Sequence, residues 1–395
     1  MSESSLSPQR VSSIDAYRGF VMFLMMAEVA RLSDVAEALP GSDFWAFLDF
    51  HQSHVPWVGC SLHDLIQPSF SFLVGVALPY SIASRAEKAQ NKSIMWIHTI
   101  RRSLILIVLG IFLRSMHKEQ TNFTFEDTLT QIGLGYPLLF ALGFTSKRVQ
   151  WSAFVSILFG YWLFFALHPL PAAGFNWAET GTTSDWEYNL EGFAAHWNKN
   201  TNAAWAFDRW FLNIFPRESP FRFNGGGYST LSFIPTLGTM TLGLIAGQWL
   251  RNFQTGVALL KKLIITSALL FAMAVLLDLT GVNPIVKRIW TPAWTLFSGG
   301  WCFLFLAGFY FIVDLKNKKG LFTMLIIIGS NSIAAYLLAD TLAGFIRHSF
   351  EIHLGSEYDL LFGSPYRTLV SGAMILFVEI WILRSMYKKK IFIKI

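Results

Sequence analysis

Apolar stretches of roughly 17–25 residues recur from one end of the chain to the other, each long enough to cross a hydrocarbon core of about 30 Å. Only helices and closed barrels satisfy all of their backbone polar groups inside a bilayer, and continuous apolar runs indicate helices. Charged residues make up 14% of the chain, whereas soluble proteins contain about 25%. The sequence therefore predicts an all-α, polytopic membrane helix bundle.

The apolar stretches predict about ten transmembrane helices. Their expected bounds are 17–30, 64–84, 103–115, 128–144, 151–167, 230–250, 263–280, 290–313, 321–343 and 367–386. The longest polar segment, 168–228, is rich in aromatic residues, which argues against disorder and for a functional, partly ordered loop outside the membrane. We expect residues 1–395 to form a single transmembrane domain that includes this extracytoplasmic segment.

The distribution of basic residues predicts the orientation of the chain. If the amino terminus is cytoplasmic, 20 of the 31 Lys and Arg residues fall on the cytoplasmic side, as the positive-inside rule requires. An even number of helices then makes both termini cytoplasmic. A nucleic-acid partner is not expected, because its basic surface would lie on one soluble module. Two cysteines exclude a disulfide framework, and the polar start predicts no removable signal peptide, which fits a bacterial inner membrane.

Ionisable side chains gather in the stretch from His51 to Gly75, where the predicted loop re-enters the membrane. The stretch contains His51, His54, His63 and Asp64. Ionisable groups at membrane depth are costly and are candidates for function. A neutral histidine can take a proton from an attacking amine or hydroxyl. The histidines also have an interfacial structural interpretation, and Asp64 one as a helix cap.

The same stretch resembles the signature of the heparan-alpha-glucosaminide N-acetyltransferase family of transmembrane acyltransferases. That signature is His-x-x-Trp-x-Gly, then Asp-Leu, a Pro, and Phe-x-Phe ending in Gly. It is matched without a gap by His54, Trp57, Gly59, Asp64, Leu65, Pro68, Phe70, Phe72 and Gly75. Supporting matches are SIDAYRGF from Ser13, LTQIGLGY from Leu129, IWTPAWTLFSGG from Ile289, GSNSIAAY from Gly329 and the basic terminus KKKIFIKI. Segment 168–228 matches poorly.

The resemblance implies a helix bundle in which cytoplasmic acetyl-CoA threads a pore and acetylates a glucosamine-type sugar on the far side. The family's catalytic histidine corresponds to His54, acting either as a general base or through an acetyl-histidine intermediate. Glu28 lies close to the place of a family asparagine, and Gln131 replaces a family arginine. These departures leave the acceptor open, so both N- and O-acetylation of a glycan are considered.

Roles for individual residues follow from this resemblance and from their positions. We expect His54, Glu28 and Asp64 to be catalytic, and Arg18, Arg101, Arg102 and Asn331 to contact acetyl-CoA. Substrate contacts are expected from His51, Trp57, His63 and Asp340. Three of these residues also have structural interpretations. Glu28, which we expect to be buried, could pair with Arg31, and Arg18 could pair with Asp15. Asn331 could form a hydrogen bond between helices.

The sequence also bears on metals, partners and an alternative function. A metal site would need several convergent ligands, and none is expected. The expected partners are acetyl-CoA, a sugar or glycan acceptor and membrane lipids, and a homodimer is left open. The alternative function is a transporter that uses Glu28, His54, Asp64 and Asp340 as a substrate or proton path. The absence of a visible internal repeat and the ungapped signature favour the transferase.

Overall fold

The computed structural model describes residues 11–252 and 256–393, so segment 1–10 and the last two residues of the basic terminus lie outside the described part. Its α-helices, numbered in chain order, are α1 Ser12–Met26, α2 Leu32–Ala38, α3 Asp43–Gln52, α4 Ile66–Glu87, α5 Lys92–Ser115, α6 Thr128–Leu142, α7 Lys147–Ala166, α8 Ala203–Phe211, α9 Phe233–Asn252, α10 Val257–Leu279, α11 Pro292–Phe309, α12 Thr323–Ser330, α13 Ser332–Leu354 and α14 Arg367–Lys388. Within the described residues, the only β-type pairing is an isolated bridge between Val58 and Val286. The predicted all-α class is confirmed.

Seven straight helical segments of the described chain are long and apolar enough to cross a membrane: His63–Glu87, Lys92–Ser115, Lys147–Ala166, Thr230–Asn252, Val257–Leu279, Pro292–Leu315 and Ser364–Lys388. A bent pair, Lys319–Ser330 with Ser332–Leu354, makes an eighth if it is one span. The remaining predicted spans correspond to α1 and α6, which have 15 residues each and are therefore about 22 Å long. The polytopic helix bundle is confirmed, and the count of about ten crossings and the side of the termini stay predictions.

The start of the third predicted helix was wrong. Its expected start was Ser103, but α5 begins at Lys92, eleven residues earlier in the chain. The Asn91 side chain caps this helix by accepting a hydrogen bond from the backbone N–H of Ser93 at 3.0 Å. Basic residues that predicted a connector therefore continue the helix, because helix formation depends on capping and backbone bonding and does not stop at the hydrocarbon boundary.

The ninth predicted helix is not continuous. Its two halves, α12 and α13, meet at Asn331 with a bend of 72°. The backbone of Asn331 is non-helical, with φ −135° and ψ 45°. The side chain of Asn331 bonds instead to the chain end, donating to the Ile391 carbonyl at 3.2 Å and accepting from the Ile393 N–H at 3.0 Å. A polar side chain with such partners allows a helix to break without leaving its amide groups unsatisfied.

The described chain divides into two compact units. Unit 1 comprises the chain up to Val55, Cys60–Ser69 and the part from Phe305 onward, and unit 2 comprises Pro56–Gly59 and Phe70–Leu304. In unit 1, α1 and α12 approach at backbone distance: a Cβ atom at Gly329 would lie 2.0 Å from the Asp15 carbonyl oxygen, and one at Gly19 would lie 1.7 Å from that of Leu325. Small residues permit such close helix packing in membranes. The single-domain prediction stays a prediction.

The long segment 168–228 lies in unit 2 and is ordered. Asparagine side chains organise it: Asn202 caps α8 by accepting from the Ala204 and Trp205 N–H groups at 3.1 and 3.0 Å, and Asn200 donates to the carbonyls of Thr180 and Asn224 at 2.8 and 2.9 Å. Aromatic and aliphatic side chains from this segment and from neighbouring parts of unit 2 form a buried cluster of Trp57, Tyr161, Phe165, Trp197, Ala203, Ala204, Val286 and Ile289. Burial of these apolar groups stabilises the segment.

Candidate functional site

The segment between α3 and α4 ends in a reciprocal cap. The backbone N–H of Ser61 donates to Oδ2 of Asp64 at 3.0 Å, and the backbone N–H of Asp64 donates to the Ser61 hydroxyl at 3.3 Å. This is the geometry of a capping box at the start of the 3₁₀ turn His63–Leu65, which leads directly into α4. Asp64 therefore does cap the helix, as one interpretation of the sequence had it.

The same carboxylate also bonds to His54. Oδ1 of Asp64 lies 2.8 Å from Nδ1 of His54, while Oδ2 accepts the Val55 N–H at 3.3 Å in addition to the Ser61 N–H. The Asp64 side chain is 1% exposed and that of His54 is 36% exposed. A carboxylate held by backbone N–H donors accepts the Nδ1 proton, so the lone pair of the neutral imidazole lies on Nε2. A histidine held in this way has the tautomer that a base acting through Nε2 requires.

A second carboxylate–histidine pair stands next to the first. The ring centroids of His54 and His63 are 4.5 Å apart, and Nε2 of His63 lies 3.8 Å from Oε2 of Glu28. The predicted burial of Glu28 was wrong: its side chain is 64% exposed, whereas that of His63 is 9% exposed. The carboxylate that bonds to Nδ1 of His54 is therefore that of Asp64, and the carboxylate of Glu28 lies beside His63.

The surroundings of Glu28 also differ from the pairing with Arg31 considered from the sequence. Arg31 adopts a left-handed backbone conformation with φ 45°, and its guanidinium lies 3.2 Å from Asp34. The left-handed turn ends the 3₁₀ segment Ala27–Ala30 and starts α2. It directs the Arg31 side chain to Asp34, the residue three positions on along α2.

His51 has a structural contact in this site. Its Nδ1 atom accepts the backbone N–H of Leu62 at 3.2 Å, and its ring packs against Phe47 and Phe50 with centroid distances of 4.5 and 5.1 Å. The bond fixes the loop just before His63. His51 therefore anchors the loop that carries the two histidine pairs, and its predicted contact with substrate stays a prediction.

Two residues of the site were not predicted from the sequence. One is Ser61, whose spacing to Asp64 is the Ser-x-x-acid pattern of a capping box and was a usable signal. The other is Gln52, whose amide accepts the Leu32 N–H at 2.7 Å and donates to the Ala27 carbonyl at 2.8 Å. Gln52 thereby joins the end of α3 to both ends of the segment that carries Glu28. No local pattern marks such a long-range contact.

Trp57, a predicted substrate contact, is a core residue of unit 2. Its side chain is 0% exposed, and its indole N–H donates to the Trp197 carbonyl at 3.1 Å. The neighbouring Gly59 N–H donates to the Ile285 carbonyl at 3.1 Å. A fully buried indole has no face for a sugar, so the role of Trp57 in this structure is to anchor the loop that follows His54.

The residues predicted to contact acetyl-CoA occupy separate environments. The Arg18 guanidinium lies 3.4 Å from Asp15, the pairing that the sequence left as an alternative. Arg101 is exposed on α5. Arg102 donates to the Tyr136 hydroxyl at 3.2 Å and stacks 4.6 Å from its ring centroid. Asn331, buried at the α12–α13 break, makes the bonds to the chain end described above, which supports its interpretation as a link between segments.

Asp340 is exposed on α13, and the sequence assigned it to substrate binding. Its predicted role stays a prediction. Among residues 11–252 and 256–393, no group of three or more His, Cys, Asp or Glu side chains has a geometry that could hold a metal ion.

A separate pair of buried acids lies in unit 2. Burial raises the pKa of Asp208 to about 7, partly offset by the hydrogen bond that its Oδ2 accepts from the Thr230 N–H at 2.9 Å. Its Oδ1 atom is buried and has no hydrogen-bond partner among the described residues. Burial also raises the pKa of Glu126. A raised pKa of this kind makes the free energy of unfolding depend on pH.

Fold and site together define a polytopic helical membrane protein with a histidine that is bonded to a carboxylate at the start of an apolar helix long enough to span a membrane. Comparison with known proteins finds similarity to heparan-alpha-glucosaminide N-acetyltransferase: 23% identity to that of Homo sapiens over 99% of the chain, and 22% to that of Mus musculus over 98%. The predicted resemblance is thereby confirmed, and the chain is a distant relative of these N-acetyltransferases. It spans 61% of the length of either relative. No protein-family model matches the chain.

Proposed function

We propose that this protein is a membrane acyltransferase that moves the acetyl group of cytoplasmic acetyl-CoA to an amino sugar or glycan outside the cytoplasm. The observation that carries the proposal is the His54–Asp64 pair, with 2.8 Å between Nδ1 and Oδ1 and the other carboxylate oxygen held by backbone N–H groups. The similarity to N-acetyltransferases over nearly the whole chain supports the reaction class. A bacterial inner membrane is the proposed location.

His54 acts as the general base in this proposal. As the acceptor nitrogen attacks the thioester carbonyl carbon, a C–N bond forms and Nε2 of His54 removes a proton from that nitrogen. When the C–S bond breaks, the electron pair goes to sulfur and His54 returns the proton to the leaving thiolate. Asp64 keeps the imidazole in the required tautomer and stabilises its protonated form. General-base assistance of this kind is typically worth about 10²–10⁴-fold in rate.

An amine acceptor is proposed over a hydroxyl because both relatives are N-acetyltransferases. The name of those relatives specifies an alpha-glucosaminide, so glucosamine is the first acceptor to test. A glycan hydroxyl would use the same base and is the alternative outcome.

The test is release of free CoA from acetyl-CoA by the purified full chain in nanodiscs, with glucosamine and a panel of amino sugars. The native chain is compared with His54→Ala and with Asp49→Asn, a nearby half-buried carboxylate on α3. Sugar-stimulated release that is lost in His54→Ala and kept in Asp49→Asn supports the proposal. Release that survives His54→Ala moves the base elsewhere and contradicts the assigned role.

One observation favours the transporter alternative. A membrane helix broken by 72°, such as α12–α13, is a recurring feature of transporter binding sites. The polar residue at this break, Asn331, is bonded to the chain's own carboxyl-terminal segment at Ile391 and Ile393, which accounts for the break without a substrate. Binding of CoA to purified protein separates the two functions, because a permease for sugars has no need of it.

A further inference from the structure

Acetylation of an amine at neutral pH requires two proton transfers. A sugar amine is largely an ammonium ion in water, and a nitrogen without a lone pair cannot attack a thioester. One proton must therefore leave before the attack and a second during it. A single histidine that accepts the first proton is no longer a base for the second, unless it releases the first proton beforehand.

The site holds two carboxylate–histidine pairs with different environments. Asp64, which serves His54, is 1% exposed, whereas Glu28, beside His63, is 64% exposed. The separation of 3.8 Å between Oε2 of Glu28 and Nε2 of His63 is longer than a direct hydrogen bond. A cationic N–H donor that lies between the two atoms can bond to both. The ring centroids of the two histidines are 4.5 Å apart, so the two carboxylate–histidine pairs are neighbours.

We propose that Glu28 and His63 form a second acid–base pair, which binds the ammonium of the acceptor and removes its first proton, while His54 and Asp64 serve the attack itself. This inference rests on the proposed function. In this proposal the exposed carboxylate of Glu28 binds the ammonium, because opposite charges attract. The imidazole of His63 accepts the proton, because imidazole is a stronger base than a carboxylate.

The acceptor nitrogen loses its two protons to different histidines. The R–NH₃⁺ group transfers one proton to Nε2 of His63 and becomes R–NH₂, and Glu28 stabilises the resulting imidazolium. The neutral amine then attacks the thioester carbon, and its second proton passes through His54 to the thiolate. The products are the N-acetyl sugar and CoA thiol. His63 finally releases the first proton to water on the exposed side of Glu28, so one proton is produced per turnover.

The position of Glu28 is fixed by backbone contacts. Gln52 bonds to the Ala27 carbonyl and the Leu32 N–H, which flank the segment of Glu28 on both sides. The segment also packs on α14, where Gly372 meets the backbone of Val29 and Ala30. Other titratable or charged groups on the loop and on the elements packed here are His51, Arg31 and Asp34 as a pair, Glu37 on α2, Asp43 and Asp49 on α3, Arg367 and Asp359 as a pair, Glu379, Arg384 and Lys388 on α14, and Asp15 with Arg18 on α1.

The test compares two acceptors that differ in charge. Glucosamine is largely protonated at about pH 7 and neutral at about pH 9, whereas hydroxylamine is already uncharged at neutral pH. CoA release by the full chain in nanodiscs is measured with each acceptor, after subtraction of the uncatalysed reaction. The variants are His63→Gln, Glu28→Gln and His54→Ala, and Asp34→Asn on α2 is the matched control.

With glucosamine at neutral pH, His63→Gln is expected to lower kcat/KM by up to about 10-fold, because the variant can use only the minority of acceptor that is already neutral. Most of this loss is expected to disappear at about pH 9, or with hydroxylamine at neutral pH, because the acceptor then needs no first deprotonation. Glu28→Gln is expected to raise KM for glucosamine and not for hydroxylamine. His54→Ala stays impaired throughout, whereas activity with hydroxylamine shows that the His63→Gln and Glu28→Gln variants are folded.

Equal losses with both acceptors at every pH would overturn the inference and leave His63 and Glu28 with a structural role. Unchanged activity of both variants would overturn it as well. In either case an active native chain keeps the proposed function. A native chain that is inactive with every amine but acetylates a glycan hydroxyl overturns the inference and remains a transferase, and one that neither binds CoA nor acetylates any acceptor overturns both.

Discussion

The backbone N–H of Ser61 donates to the Asp64 carboxylate, and the backbone N–H of Asp64 donates to the Ser61 hydroxyl, so the residue that orients His54 is itself fixed by a helix cap. A cap satisfies backbone groups that would otherwise be unbonded at a helix start. The arrangement makes the position of the His54 ring depend on how the chain enters α4, and it gives Asp64 two separable functions, as a helix cap and as the partner of His54.

Asp64→Asn is expected to separate these functions. An asparagine oxygen can still accept the Ser61 and Val55 N–H groups, but its amide then meets Nδ1 of His54 as a donor and favours the wrong tautomer. We expect kcat for acetyl transfer to fall by about 10²–10⁴-fold with little change in thermal stability. CoA release and a thermal unfolding scan measure both. A variant with full kcat would exclude Asp64 from orienting the base.

Gln52→Ala is expected to loosen the segment of Glu28. The change removes hydrogen bonds to the Leu32 N–H and the Ala27 carbonyl, and the loss of two such bonds is worth about 1–3 kcal/mol of unfolding free energy. Thermal unfolding in detergent measures the effect, with Gln120→Ala, an exposed glutamine of unit 2, as the control. Equal unfolding temperatures for the two variants would show that Gln52 does not stabilise the segment of Glu28.

Asp208→Asn is expected to stabilise the protein increasingly as pH rises. The folded-state pKa of Asp208 is about 7 and its ordinary value is 3.8, so between these values the unfolded chain releases a proton that the folded chain keeps. Stability of the native chain therefore falls as pH rises from about 4 to about 7 and is flat above. Asparagine removes this dependence and can still accept the Thr230 N–H.

The measurement for Asp208→Asn is the difference in unfolding temperature from the native chain at about pH 5 and about pH 8, expected to be more positive at the higher pH. Asp185→Asn is the control, because Asp185 is fully exposed and its pKa is lowered by the Thr183 hydroxyl. Asp185 is ionised in both states across this range. A pH-independent difference for Asp208→Asn would show that Asp208 is ionised in the folded chain.

Gly329→Ala is expected to disrupt the packing of α1 on α12. The new methyl group would lie 2.0 Å from the Asp15 carbonyl oxygen, so the two helices would have to separate. Overpacking of this kind costs about 1–3 kcal/mol or more. The matched control is Gly344→Ala on α13, where nothing lies within 4 Å of the added atom. A comparable unfolding temperature for the two variants would show that the contact is not close.

Much of the fold could be predicted from the sequence, because a chain in hydrocarbon satisfies its backbone locally, within each helix. Apolar length alone therefore located a helix at each predicted span. It did not locate the start of α5 at Lys92, since an asparagine cap lies outside any apolar run. Nor did it predict the break at Asn331, which depends on hydrogen bonds to residues some sixty positions away.

The candidate site divides in the same way. The spacing of His54 and Asp64 and the resemblance that it carried were visible in the sequence, because these residues lie within one short loop. Tertiary structure decided three other features: the pairing of Glu28 with His63, the hydrogen bonds of Gln52 and the burial of Trp57. Each of these contacts joins segments that are distant in the chain. Which side chains meet there depends on how the helices pack, and no local pattern of residues encodes that packing.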